Sequence, residues 1–593
     1  MDQRPATPAE RVSVVDLPVV PCDPSRSDDI VGALDGPSQA ETEKGWADLK
    51  TFQTRKAAKT DAKSPQSDRD QARRSSCVDL SRMAHWLQSF FRFIGPGFLV
   101  SVSFVDAGNF NVGISAGAQF RFALLTIILL SNILAIFLQY LALRLGTVTG
   151  RDLAQSCRTH LPLWLNLLVY LFAEAAILAT DIAEAVGSAI ALNLLSKGRL
   201  PLPAGVAITL IDVVVILFFY QRDGTQGVTK TQIFEAGIAV LVIALATCLS
   251  MELAKITGVT VGEVLKGYIP SATIFRGSAL YVSCGIIGAT VMPHSLFLGS
   301  GVVQTRVKDY DIKHGIYTPA SALARSASLS SPQTLTALEL EKAEESYRPS
   351  LQAIRHCLPY STIELVLALI SIAFYVNSAL LILAGATLSD SPEAANADLF
   401  SIYDLLKEQL SPAAATIYAV GLFFSGESAG LVVTLAGQMI MEGHLRWNIV
   451  PWKRRLITRC ISIVPCIVIA SAVGRRGLSA VLTASQVALS IILPFVTAPL
   501  VYFTCRKHIM SVEVHHPSGP PSTAPLAPPL EQNNNNQGEN SDRGNAEEGR
   551  TLLAQSVDLS NGWFVAFLSV VVWLFIAALN LFLVIALAIG KAG

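Results

Sequence analysis

The sequence predicts an all-α polytopic membrane protein made of two inverted five-helix repeats and an eleventh helix, with its first and sixth spans discontinuous. Three observations carry that expectation. Hydrophobic residues make up 51% of the 593 residues and charged residues only 15%, less charge than soluble chains carry. Apolar runs of about 18 residues or more, the length that crosses a bilayer, recur from residue 94 onward. Two of these runs, the first and the sixth, are interrupted by "VDAGN" and "ATVMPHS". Broken helices at corresponding places in two halves point to an inverted-repeat transporter with a site near the bilayer midplane.

The apolar runs fall near residues 94–117, 122–146, 162–195, 203–220, 233–252, 277–301, 361–388, 412–441, 455–474, 476–505 and 562–590. In lipid each backbone polar group needs a partner within the protein, so such continuous runs are helices. The short alternating segments of a membrane β-barrel do not occur. Residues 1–90 mix Pro, Ser, Asp and Lys and open with no signal peptide; they read as a disordered cytoplasmic tail. Residues 91–505 form the transport core, with a polar cytoplasmic insert at 302–358 that carries "SALARSASLSSPQ". The Pro- and Asn-rich stretch 506–560 reads as a disordered cytoplasmic linker, and 561–593 holds the eleventh helix. With the N-terminus in the cytoplasm the inner loops carry roughly twice the Lys and Arg of the outer loops, which favours that orientation.

Composition also excludes several functions. A formal net charge of zero gives no general attraction for nucleic acid. The nine cysteines form no CxxC pair and read as small buried apolar residues rather than a disulfide or zinc framework. No catalytic constellation appears, so the chain is not expected to be an enzyme. No phosphate-binding loop appears either, so a gradient and not ATP is the expected energy source.

The interruption in span 1 centres on Asp106. A charge at the bilayer centre costs about 3 kcal/mol on insertion scales, so it signals a cavity or a partner. Gly108 is the expected point of unwinding, because glycine accepts backbone angles that other residues resist. Unwinding frees carbonyls, and Asp106 and Asn109 add a charged and a neutral oxygen. In span 6, Pro293 has no amide hydrogen and leaves the Ala289 carbonyl without its helical partner. Met292, three residues on, turns its thioether to the same side. A thioether suits Mn, Fe, Co, Cu or Cd and suits Mg or Ca poorly. His294 carries an imidazole, which can titrate near neutral pH, although a lone buried histidine is more often a satisfied structural group. In span 3, Glu174, Asp181 and Glu184 are spaced seven and three apart and share one helix face. Three acids on a spanning helix need water or basic partners. Arg454 and Arg455, at the start of span 9, are the expected partners, and an acid ladder so paired fits a proton path.

Together these segments resemble the Nramp family of divalent-metal transporters. The matching stretches are "DAGN" (Asp106–Asn109), "MPHS" (Met292–Ser295), "TDIAEAVGSAIAL", "FYVNSALLILAGA", "TLAGQMIMEG", "RRLITR" and "SQVALSIILPF", and the likeness covers about residues 92–505. The resemblance implies a LeuT-like fold. It implies metal-binding roles for Asp106, Asn109, the Ala289 carbonyl and Met292, with state-dependent help from the Ser103 carbonyl and the Gln486 side chain. It assigns His294, Glu174, Asp181, Glu184, Arg454 and Arg455 to proton transfer and gating. Three positions depart from the family pattern. Ala107 stands for a proline, which places more of the span 1 break on Gly108. Ser295 stands for an asparagine that braces the span 6 turn, and Glu427 for a glutamine. None of the three removes a metal ligand.

The resulting expectation is a proton-coupled importer of Mn2+ or Fe2+ into the cytosol, working by alternating access and holding no permanent cofactor. Its partners are the metal ions, protons and the lipid bilayer, with the polar tail a candidate dock for trafficking or ubiquitylation factors. The membrane is the plasma membrane or an endosomal or vacuolar one. The alternative is a metal sensor that keeps an Nramp-like membrane domain without transporting, as in plant ethylene signalling; such a sensor needs an output module, and the tail and loops are weak candidates. An amino-acid carrier of similar architecture is disfavoured, because Asp106 repels a substrate carboxylate.

Overall fold

Each long apolar run closes its own backbone hydrogen bonds, and the breaks fall where a capping side chain or a proline ends the ladder. The computed structural model describes residues 104, 106–209, 240, 243–318, 347–389, 394, 397–409, 411–446, 449, 451–514 and 555–590. Helix α1 spans Ala107–Phe120, α2 Leu125–Thr149, α3 Leu153–His160, α4 Leu163–Leu195 and α5 Leu202–Ile208. Helices α6 (Ser278–Thr290) and α7 (Pro293–Lys313) are the two halves of span 6. Span 7 comprises α8 (Leu351–Ala368), a π-helical stretch Leu369–Phe374, and α9 (Tyr375–Thr387). Then follow α10 (Leu399–Gln409), α11 (Pro412–Leu445), α12 (Pro451–Ala472), α13 (Arg475–Thr504), strands β1 (Ser511–Val514) and β2 (Gln555–Asp558), and α14 (Trp563–Ala588).

Among the described residues seven helical stretches are long and apolar enough to span a membrane: α2, α4, α6–α7, α8–α9, α11, α13 and α14. The first, fourth and fifth predicted spans are described only in part, and the ninth is apolar over Leu456–Ala472. Helix α4, 33 residues long, is central: it packs against α11, α13, α12 and α5. Helix α14 buries only a stripe, Ser569, Val572, Ile576, Leu579, Asn580 and Leu583, at the three-to-four residue spacing of one helix face. Val565, Leu568 and Trp573 pack partly against the bundle beside this stripe, and the opposite face is exposed.

Two boundaries differ from the sequence expectation. The polar insert is shorter than 302–358, because α7 runs on to Lys313 and α8 begins at Leu351. Val307 of α7 packs on Ala353 and Cys357 of α8, and Asp311 holds the two ends together. Its carboxylate accepts from the Tyr347 hydroxyl at 2.7 Å, the Ser350 amide at 3.1 Å and the Ser350 hydroxyl at 2.5 Å. The linker 506–560 is ordered at both ends: β1 and β2 pair antiparallel, with Ser511 opposite Asp558 and Val514 opposite Gln555. Arg144 of α2 donates to the carbonyls of Leu559 and Ser560 at 2.9 and 3.0 Å, which ties the ribbon to the bundle. Short β-branched alternation inside a polar stretch is a weak signal, and tertiary contacts decided it.

Helices α2 and α7 approach closely at Gly146. A Cβ there would lie 1.9 Å from the Ser300 carbonyl oxygen, which is rigid backbone. Gly146→Ala is therefore expected to overpack this contact and cost about 1–3 kcal/mol. A thermal unfolding midpoint equal to that of the unsubstituted protein would refute the close approach.

Candidate metal site and buried ion-pair stripe

Most of the residues expected to hold the metal lie where α1 begins and α6 ends. Asp106 is not inside a helix. Its backbone is extended, at φ −107° and ψ 170°, and it is the N-cap of α1. Its carboxylate accepts from the Asn109 amide at 2.7 Å and from Asn109 Nδ2 at 3.1 Å. Asn109 Nδ2 also donates to the Ala289 carbonyl at 3.0 Å. One amide thus joins the carboxylate of span 1 to the carbonyl of span 6. Both donor hydrogens of Nδ2 are used in this bridge, so Oδ1 remains as an acceptor. A carbonyl has two lone pairs, so the Ala289 oxygen keeps capacity for a cation.

Helix α6 ends at Thr290, Val291 departs from helical geometry, and Met292 is extended at φ −61° and ψ 121°. Pro293 takes the first helical position of α7, where its missing amide costs nothing. Met292 is 1% exposed. Gln486 is fully buried, and its Oε1 has no hydrogen-bond partner among the described residues. Two glycines admit this residue. A Cβ on Gly108 would lie 2.1 Å from Gln486 Nε2, and one on Gly288 would lie 2.0 Å from the Gln486 carbonyl oxygen. Asp106, Asn109, Ala289 and Gln486 are thus brought together, with Met292 at the adjoining break. Ser103 lies outside the described residues.

The role expected of Gly108 is corrected. It sits inside α1, and the N-cap stands two residues earlier at Asp106, whose carboxylate caps the start of the helix. Gly108 provides room for Gln486 instead of unwinding the chain. Ala107 is likewise less disruptive than expected. It occupies the first position of α1, where no intrahelical amide bond is required, and its Cβ fills the space left by Gly187. Ser295 does brace the span 6 turn: its hydroxyl donates to the Met292 carbonyl at 2.7 Å and accepts from Gln139 Nε2 at 2.7 Å.

His294 is buried between α7 and α4, with Nδ1 3.3 Å from Thr180 Oγ1. The Thr180 hydroxyl donates to the Ala176 carbonyl at 3.0 Å, so Nδ1 carries the hydrogen of the shared contact and Nε2 is the free lone pair. The α4 acids form the expected stripe. Arg454 donates to both oxygens of Glu174 at 2.6 and 2.8 Å. The deeper partner is Arg459, 1% exposed, which donates to the Asp181 carbonyl at 3.0 Å and stands 3.6 Å from Glu184 Oε2 and 4.0 Å from Asp181 Oδ1. Arg455, expected beside Arg454 as a partner of these acids, has its side chain outside the described residues. The signal for Arg459 is its position inside the apolar "LITRCISIV", where an arginine needs an acid.

Among the described residues no three His, Cys, Asp or Glu side chains gather as a metal cluster. The candidate site has one carboxylate and neutral donors, a set suited to a cation that arrives and leaves. Beyond this geometry, the chain matches the family described as "Natural resistance-associated macrophage protein-like" (Nramp) over residues 97–517. It is 45% identical over 515 residues to the manganese transporter SMF1 of Saccharomyces cerevisiae, covering 84% of this chain and 86% of the relative. It is 45% identical over 510 residues to the iron transporter SMF3 of the same organism, covering 85% and 98%. The crystal structure of the Eremococcus coleocola manganese transporter superposes with a TM-score of 0.59 at 27% identity, over 84% of this chain and 86% of that one.

Two substitutions probe the arrangement. Gly108→Ala is expected to push the flexible end of Gln486 aside, weakening Mn2+ binding on the order of tenfold with little change in thermal stability; calorimetry of the purified variant with unchanged affinity would remove Gln486 from the site. Arg459→Ala is expected to strand two buried acids and cost about 3–5 kcal/mol, with Glu184→Gln in the same chain restoring part of the loss. Equal unfolding midpoints for Arg459→Ala and the parent would show that the ion pairs do not hold these helices.

Proposed function

The chain belongs to the Nramp family, and from that premise we propose that it is a secondary active transporter that brings divalent transition-metal ions, Mn2+ or Fe2+, into the cytosol. Its fold is LeuT-like, and it is not an enzyme. The observation that carries the reading is the Asn109 bridge between the Asp106 carboxylate and the Ala289 carbonyl, buried where two helix ends meet.

The electrostatics favour a cation there. The end of α6 presents carbonyls that the break leaves without intrahelical donors, the negative end of a helix dipole. The start of α1 is the positive end, and Asp106 offsets it by capping. A divalent ion between them meets the Asp106 carboxylate, the Asn109 and Gln486 amide oxygens, the Ala289 carbonyl and the Met292 thioether. The soft sulfur favours Mn2+ or Fe2+ over Ca2+ or Mg2+, which prefer all-oxygen ligands. Because the ligands sit on both half-helices, rocking of spans 1 and 6 would release the ion to the other side.

Proton coupling is part of the same proposal. Asp106 is neutralised by a proton or by the metal, and the proton it loses would move by way of His294 to the α4 acids, where Arg459 and Arg454 steady the charged forms. The N-terminus lies in the cytoplasm, and the membrane is the plasma membrane or an endosomal or vacuolar one.

In proteoliposomes Mn2+ uptake is expected to accelerate with an inward acid gradient and to vanish in Asp106→Asn, which should still fold. Normal uptake by a well-folded Asp106→Asn would dismiss this site. Met292→Ala should lose discrimination against Ca2+, read as Ca2+ competition of Mn2+ uptake; an unaltered preference would rule out selection by sulfur.

A further inference from the structure

Helix α14 does not close fully on the bundle. A groove of about 860 Å³ runs between it, α13 and the first turns of α4. Short side chains leave this space: Ala498 and Pro499 of α13 and Ala577 of α14 line it. Trp573, also on the lining, donates from Nε1 to the Pro494 carbonyl at 2.9 Å, which fixes α14 to α13. One wall is the Phe172 ring stacked on Phe495, with centroids 4.2 Å apart. Leu168, Phe495 and Leu581 line the groove and stay 39%, 45% and 62% exposed. It therefore opens sideways, where lipid chains surround a membrane-spanning bundle.

The length and charge of the groove describe its occupant. On α13 it extends from Tyr502 back to Ile491, about 16 Å at the helical rise. That is close to half of a hydrocarbon core of roughly 30 Å, the depth of one leaflet. One end carries basic groups. His160, the last residue of α3, lines it, and its ring centroid is 6.3 Å from that of His508. The exposed Arg506 holds its guanidinium 4.7 Å from the centroid of the Tyr502 ring. Lys507 is offset by Asp558 at 3.6 Å, which leaves Arg506 to make this end positive. On α14, Asn580 Nδ2 donates to the Ile576 carbonyl at 2.9 Å, and its Oδ1 has no hydrogen-bond partner among the described residues. A sterol hydroxyl would suit that oxygen, but a sterol has no charge to match the basic end.

We propose that this groove binds an anionic phospholipid. One acyl chain lies along the apolar lining between α4, α13 and α14. The headgroup phosphate meets Arg506, His508 and His160, as basic groups at helix ends hold acidic headgroups. The lipid fills space that the short side chains leave, so its chain gains the close contacts that an empty gap forfeits, and it joins the eleventh helix to α4.

The test uses the full chain in phosphatidylcholine vesicles that contain a small share of phosphatidylglycerol brominated on one acyl chain. Bromine quenches a neighbouring indole, and Trp573 in the groove is the reporter. Its emission is taken as the difference between the parent and Trp573→Phe. Brominated phosphatidylglycerol should quench Trp573 at a several-fold lower mole fraction than brominated phosphatidylcholine. Arg506→Gln combined with His508→Gln, both beyond the end of α13, should abolish that preference. Ala498→Phe, which fills the groove, should reduce quenching by either lipid. Equal quenching by the two lipids, or a preference that survives the double substitution, overturns the site. Cholesterol that relieves the quenching at an equal mole fraction overturns it in favour of a sterol.

Discussion

A carboxylate in an apolar bundle has to be solvated by the protein, and the geometry around Asp106 follows from that need. Removed from water, the charged group requires donors or a cation. The start of α1 supplies the Asn109 backbone and side-chain amides. That requirement stops the helix at Asp106, and the stop brings the same amide within reach of the Ala289 carbonyl. The carboxylate, the break in span 1 and the link to span 6 are therefore one arrangement. In the proposed site an incoming cation would compete with the helix cap for the same oxygens, which would couple binding to the shape of the helix.

The ion-pair stripe works on a similar principle at greater depth. Arg459 is almost wholly buried, and a buried guanidinium is tolerated only with close acids. Its contacts with Asp181 and Glu184 join α12 to α4, and Arg454 repeats the join at Glu174. Charges that compensate each other so closely are also charges whose protonation alters helix packing. The stripe is thus a structural seam as well as the proposed route.

Much of this was legible in the sequence, because membrane spans obey a strong rule: long apolar runs must be helical. The interruptions at "VDAGN" and "ATVMPHS" do coincide with the start of α1 and the join of α6 to α7, and the acids at positions 174, 181 and 184 do share a face. What was not legible depended on contacts across the fold. Gly108 reads locally as a helix breaker, yet it is a gap for Gln486, which arrives from α13. Arg459 follows Arg454 and Arg455 by only a few residues, and only the packing of α12 on α4 shows that it, too, meets an acid. The ends of the insert and linker looked like polar chain because Asp311 and Arg144, which order them, lie elsewhere in the sequence.

The small β-ribbon has a topological consequence. Because β1 and β2 pair directly and Arg144 holds the exit of β2, the end of α13 and the start of α14 are registered to each other through the ribbon. The spacing of the two helices is set by four residue pairs and not by the length of chain between them. The ribbon and Arg144 thus act as a clasp, fixing where the eleventh helix enters the bundle beside the end of α13.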